Sequence, residues 1–116
     1  MSSERAFLVH SAYRPVWLMT MFDLPVDSPQ AKRRYTRFRK VLLDAGFMMI
    51  QYSVYARYCE SEDAAEAKRT IVRAHLPIQG AVRMLSVTDR QFGRMEQYLG
   101  KTRAGPDEPP GQLLLF

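Results

Sequence analysis

Residues 16–22 read VWLMTMF, apolar at odd and even positions alike and broken only by Thr20. A run that does not alternate predicts a strand covered on both faces, and therefore a central one. Pro25 cannot donate to a ladder and pushes the residue before it away from helix, so the strand ends near Leu24 with Asp23 at its carboxyl end. Asp27, Ser28 and Pro29 then predict a helix start. They supply a side-chain oxygen for the first free amides and a proline whose missing donor is harmless there, and Gln30, three after Asp27, permits a capping box. Ala31, Tyr35, Phe38, Leu42 and Ala45 follow at spacings of four, three, four and three, an apolar stripe that packs on a sheet, and Gly46 supplies the stop.

Residues 47–58, FMMIQYSVYARY, are rich in aromatic and β-branched side chains and carry no helix cap, so they are extended. The polar break over residues 51–53 predicts a tight hairpin of two antiparallel strands, with one bent strand as the alternative. Ser61, Glu62 and Asp63 open a second helix whose acids and whose late Arg73 and His75 suit the macrodipole, and Pro77 ends it. Its expected buried positions are Ala64, Ala67, Ile71 and Ala74. Residues 81–87 are a further strand. The order strand, helix, two strands, helix, strand predicts an α+β, ferredoxin-like βαββαβ fold with a four-stranded antiparallel sheet under two helices.

Thr88 and Asp89 are placed to cap a short helical turn through Phe92, and residues 94–99 are a candidate extra strand. Residues 100–111 hold three glycines, three prolines and four charges, which reads as a linker. The expected organisation is an extension over 1–15, the domain over 16–99, the linker, and a terminal strand over 112–116. That last segment, QLLLF, contains Leu113, Leu114, Leu115 and Phe116, whose exposure forgoes ~1.5–3 kcal/mol of burial for each side chain. It suits a strand added to a sheet edge across a homodimer, with a frayed end or a return to its own sheet as alternatives.

A length of 116 residues predicts a single core. The one cysteine, Cys59, excludes an internal disulfide, and with no second thiol or paired histidine there is no zinc ligand set, so a reducing, cytoplasmic setting is expected. The longest apolar run is about half the ~20 residues of a membrane span, and no signal peptide is recognisable, so no membrane partner is expected. A net charge of +5 and a pI near 9.7 point to polyanions instead.

The positive excess concentrates on the first helix, where Lys32, Arg33, Arg34, Arg37, Arg39 and Lys40 fall within nine residues and Asp44 is the only acid. At 100° per residue Arg33, Arg37 and Lys40 form a row opposite the apolar stripe, with Lys32 and Arg39 on one flank. Solvated faces usually mix signs, whereas this one suits the phosphate backbone of duplex DNA, with RNA as the alternative, bound without base information and weakened steeply by salt. Asp23 alone is a weak signal, since a carboxylate before such a turn often only caps the loop. A lone carboxylate also makes a poor Mg2+ site, since that ion usually takes one or two carboxylates together with waters and phosphate oxygens. A two-fold axis near the end of the first strand would bring a second Asp23, and a metal held there could activate water against a phosphodiester. His10 and His75 read as surface residues.

The segment ending MFDLP, the capped basic helix, the GF-x-x-x-Q-x-SVY segment over residues 46–55 and VTDRQF over residues 87–92 together resemble the small CRISPR-associated protein that accompanies the integrase subunit in spacer acquisition, in the form found in Cas9-type loci. The resemblance covers residues 16–99. It implies a ferredoxin-like homodimer whose carboxyl-terminal strand packs on the partner. The resemblance further implies that this dimer sits between two integrase dimers as a scaffold along which the incoming DNA lies. It also implies, as an alternative, a magnesium-dependent endonuclease on RNA or duplex DNA with Asp23 as the metal ligand. Two departures stand out: the extension before Val16 is longer than usual, and Met49 stands where many relatives carry a basic residue. A single-strand RNA binder on a ferredoxin-like sheet is a third class, but neither residues 16–24 nor 53–58 carry its glycine-aromatic motif.

Overall fold

The computed structural model describes residues 14–103. The terminal strand expected over 112–116, most of the linker and nearly all of the amino-terminal extension lie outside the described residues.

Strand β1 (Val16–Asp23) is central, flanked by β3 (Val54–Cys59) and β4 (Ala81–Thr88), with β2 (Met48–Gln51) on the far side of β3. All three pairings are antiparallel, giving the order β2-β3-β1-β4. With helices α1 (Pro29–Asp44) and α2 (Glu62–Ala74) in the crossovers, this is the ferredoxin-like arrangement. Ser53 adopts a left-handed φ of 63° in the hairpin between β2 and β3, so residues 47–58 form two strands and not one bent one.

Both helices lie on one face of the sheet. Phe38 and Leu42 of α1 and Ala65 and Val72 of α2 pack with Val16, Leu18 and Phe22 of β1 and with Tyr55 and Cys59 of β3. Burial along β1 alternates: Val16, Leu18, Thr20 and Phe22 are buried under the helices, while Trp17, Met19 and Met21 are half-buried and Asp23 is exposed. The expectation of cover on both faces is therefore corrected. In the described chain only one face is sealed, and the apolar odd positions line an open face that they share with Tyr58, Leu85 and Val87 across the sheet.

The first helix starts as expected but is capped by Ser28, whose Oγ accepts from the Ala31 N–H at 3.0 Å, and the capping box through Gln30 is not formed. Gly46 follows its end at φ 87°, and a Cβ there would lie 2.7 Å from Arg57 Nε. That nitrogen donates to the Ala45 carbonyl at 3.1 Å, so a cation from β3 satisfies the end of α1, which has no base in its own last turn.

The second helix is rotated relative to its expected face. Ala65 and Val72 are buried, Ala64 is partly so, and Ala67, Ile71 and Ala74 are exposed. The reason is Arg69, whose guanidinium bridges Glu62 at 2.6 Å and Glu66 at 3.0 Å and donates to Ser86 on β4. Arg73 adds a 2.7 Å contact to Glu66. Alanine carries little periodic signal, and this charged network takes a position on the sheet side that hydropathy alone assigns to an apolar residue.

Thr88 and Gln91 close a capping box on the short helix α3 (Asp89–Gly93). Phe92 stacks on Trp17 at 4.0 Å, and Trp17 Nε1 donates to Asp89 at 2.8 Å. The extra strand expected over 94–99 exists only as β5 (Tyr98–Leu99), which pairs with β6 (Thr102–Arg103) in a small separate hairpin.

Candidate nucleic-acid interface

The basic residues of α1 are presented outward because Ala31, Phe38 and Leu42 fix the opposite face against the sheet. Lys32, Arg33, Thr36, Arg37 and Lys40 line one shallow, open surface depression of about 400 Å³. Among the described residues Lys32, Arg33 and Arg37 have no acidic partner, and Lys40 meets Asp44 at 3.1 Å. That pair is highly exposed on both sides, 73% and 66%, and pairs of this kind contribute little, so Lys40 can exchange Asp44 for a phosphate at small cost.

Arg39 is on the flank and differently employed: its Nε donates to Tyr55 Oη at 2.8 Å, capping the phenol of a residue that is otherwise wholly buried in the core. Arg34, on the other flank, reaches Gln79 at 3.4 Å. With Arg37 it borders a second cavity of about 290 Å³ floored by Phe38, Leu76 and Ile78.

Asp23 sits at the end of β1 opposite Ala81, with its side chain exposed. Among the described residues nothing hydrogen-bonds or pairs with its carboxylate, so it does not cap the following loop. Nor do they contain a group of three His, Cys, Asp or Glu able to hold a metal. Among the described residues Asp23 therefore offers Mg2+ one carboxylate and no neighbouring ligand, which leaves the rest of the shell to water, phosphate oxygens or a second copy. Asp23 does share the open face of the sheet with Trp17, Met19 and Met21, so a second copy packed on that face would approach it.

Beside this end lies an aromatic column that sequence reasoning did not single out. Tyr35 on α1 is tilted against Phe22 at 5.6 Å, and Tyr52 in the hairpin turn stacks on Tyr35 at 5.6 Å and 15°. Tyr35 Oη and Ser53 Oγ are hydrogen-bonded at 3.0 Å. Burial pushes the Tyr35 phenol up to about 12, outweighing the hydrogen bond to Ser53, which favours the anion. An aromatic residue inside the polar break of a predicted hairpin was the only available signal for Tyr52. The open face adds Leu85, Tyr58 and Phe92, which the sequence places on elements but on no particular face.

The fold and this surface define a small ferredoxin-like α+β protein with a one-signed basic helix on its outer layer and a lone carboxylate at the end of its central strand. Residues 16–95 match the family described as CRISPR associated protein Cas2, and the chain belongs to that family. It is 50% identical over 101 residues to a protein of Parvibaculum lavamentivorans named CRISPR-associated endoribonuclease Cas2, across 87% of this chain and the whole of that relative. Proteins of the same name from Flavobacterium psychrophilum and Paracidovorax avenae are 41% and 38% identical. Those matches cover 90% and 91% of this chain and 90% and 98% of the relatives. No helix among the described residues is long and apolar enough to cross a membrane.

Proposed function

We propose that this CRISPR-associated protein is a cytoplasmic homodimeric scaffold of spacer acquisition. In this reading it holds prespacer duplex DNA along its α1 faces and bridges dimers of the CRISPR integrase, which performs the chemistry. The observation that carries the reading is the exposed row of Lys32, Arg33, Arg37 and Lys40, in which only Lys40 has an acidic partner. Such a row contacts phosphates without reading bases, and two copies in a dimer would extend it into a track. The open apolar face of the sheet supports self-association, and residues 112–116 would add a strand on the partner.

Neutralising Arg33, Arg37 and Lys40 together should weaken duplex binding and lower the salt slope by about 1 per residue removed, and an unchanged slope would sink the assigned face. Integration reconstituted with the partner integrase should proceed fully with Asp23→Ala.

A second reading, a Mg2+-dependent endonuclease, is favoured by the exposed, unpartnered Asp23 and by the word endoribonuclease in the relatives' names. Because Asp23 has no second carboxylate beside it among the described residues, in this reading Asp23 of two chains would hold the ion at the dimer interface. If purified Asp23→Ala still cuts RNA or duplex DNA at the wild-type rate in magnesium, this reading is wrong.

A further inference from the structure

We infer that Tyr52 is a stacking platform for an unpaired nucleobase of the nucleic acid held by α1, an inference that rests on the scaffold reading above. Tyr52 is 68% exposed although its ring has a stacking partner. One face lies on Tyr35 at 5.6 Å and 15°, and Tyr35 in turn rests on Phe22 and is pinned to Ser53 at 3.0 Å. The inner face is thus supported by a column rooted in the core, and the outer face is turned to solvent. An aromatic ring already fixed in this way loses little further freedom when a second ring stacks on it.

Its position connects it to the basic face. Lys32 precedes Tyr35 by three residues and Arg39 follows it by four, so both cations neighbour Tyr35 on the helix surface. From there the row continues through Thr36 to Arg33, Lys40 and Arg37. Tyr52 therefore stands at the edge of the phosphate-binding surface, on the hairpin side. Every base has a π-face, so the platform is tolerant of sequence. Bases inside a duplex are already stacked on their neighbours, so the occupant is a base outside that stack, from a single-stranded extension or a frayed terminal pair.

The test uses the full chain with a blunt duplex and with the same duplex carrying a short single-stranded extension, each labelled with 2-aminopurine at its last position. The wild type should quench the probe and bind the extended duplex more tightly. Tyr52→Ala should abolish the quenching and lose about 10-fold in affinity for the extended duplex, and its affinity for the blunt duplex should fall only if the wild type also quenches the probe at that blunt end. Tyr52→Phe should keep both. Quenching at the blunt end that Tyr52→Ala removes assigns the base to a frayed pair, and quenching confined to the extension assigns it to single strand. Equal affinity and equal quenching in wild type and Tyr52→Ala overturn the platform. In that case weakening of both duplexes by the Arg33, Arg37 and Lys40 variant leaves the α1 interface standing. A wild type that binds neither duplex overturns both readings.

Discussion

Thr20 is fully buried on the helix-facing side of β1, and its hydroxyl has no hydrogen-bond partner among the described residues. A buried hydroxyl without a partner forfeits its hydration and gains nothing in return, a cost of about 1–3 kcal/mol. Thr20→Val, nearly the same in shape and equally suited to a strand, should raise stability by about 1 kcal/mol, read as a later denaturant midpoint at unchanged m-value. Tyr35 offers a second single-residue test, with its phenol pushed from 10.0 up to about 12 chiefly by burial. Because the folded state holds this proton more tightly, its contribution is complete below pH 10 and is lost as the pH rises from 10 to 12. Tyr35→Phe should flatten that alkaline decline and remove from an absorbance titration one phenolate whose appearance is delayed above the ordinary tyrosine range.

Between elements, the close approach of the loop before β4 to the end of β1 constrains the site most directly. Gly80 has φ +90°, and a Cβ there would lie 2.5 Å from the Asp23 carbonyl oxygen and 2.7 Å from Leu24 Cδ2. Gly80→Ala should therefore cost about 1–3 kcal/mol and displace the strand end that carries Asp23. Gly93→Ala is the control: its Cβ would meet nothing within 4 Å and its φ is not positive, so its stability should be unchanged or slightly higher. A denaturation midpoint that falls equally in both would show that the approach at Gly80 is not responsible. The same scale shows why the buried face of α1 is legible in sequence and that of α2 is not, although the sequence places both helices. Large residues such as Phe38 and Leu42 mark a face clearly, whereas alanines do not, and Arg69 holds its place through Glu62 and Glu66 of its own helix and through Ser86 on a distant strand.

For the whole molecule, the decisive asymmetry is a sheet with helices on one face and half-exposed Trp17, Met19 and Met21 on the other. Leu85, 53% exposed and opposite Met19, lies within that open face. If two copies meet there, Leu85→Glu should give a monomer by sedimentation while leaving the far-ultraviolet spectrum intact, because a charge in an apolar interface cannot be paired. An unchanged dimer mass would place the interface elsewhere. A chain ending at residue 111 separately tests the share of the terminal strand, and an undiminished dimer affinity would refute strand exchange.

By itself the sequence determined the element order, the apolar strand β1, the capped basic helix and the placement of Asp23 at a strand end. These follow from local periodicity, proline and glycine chemistry and charge, all of which act over a few residues. Tertiary structure alone decided that β1 is sealed on one face, that α2 turns Ala65 and Val72 inward, that Arg57 reaches the end of α1, and that Tyr52 rests on Tyr35. Each of these depends on which surfaces meet across long separations in the chain. A hydrophobic period shows that a face is apolar, but what covers it depends on packing between distant segments, here including a second molecule if the proposed dimer forms.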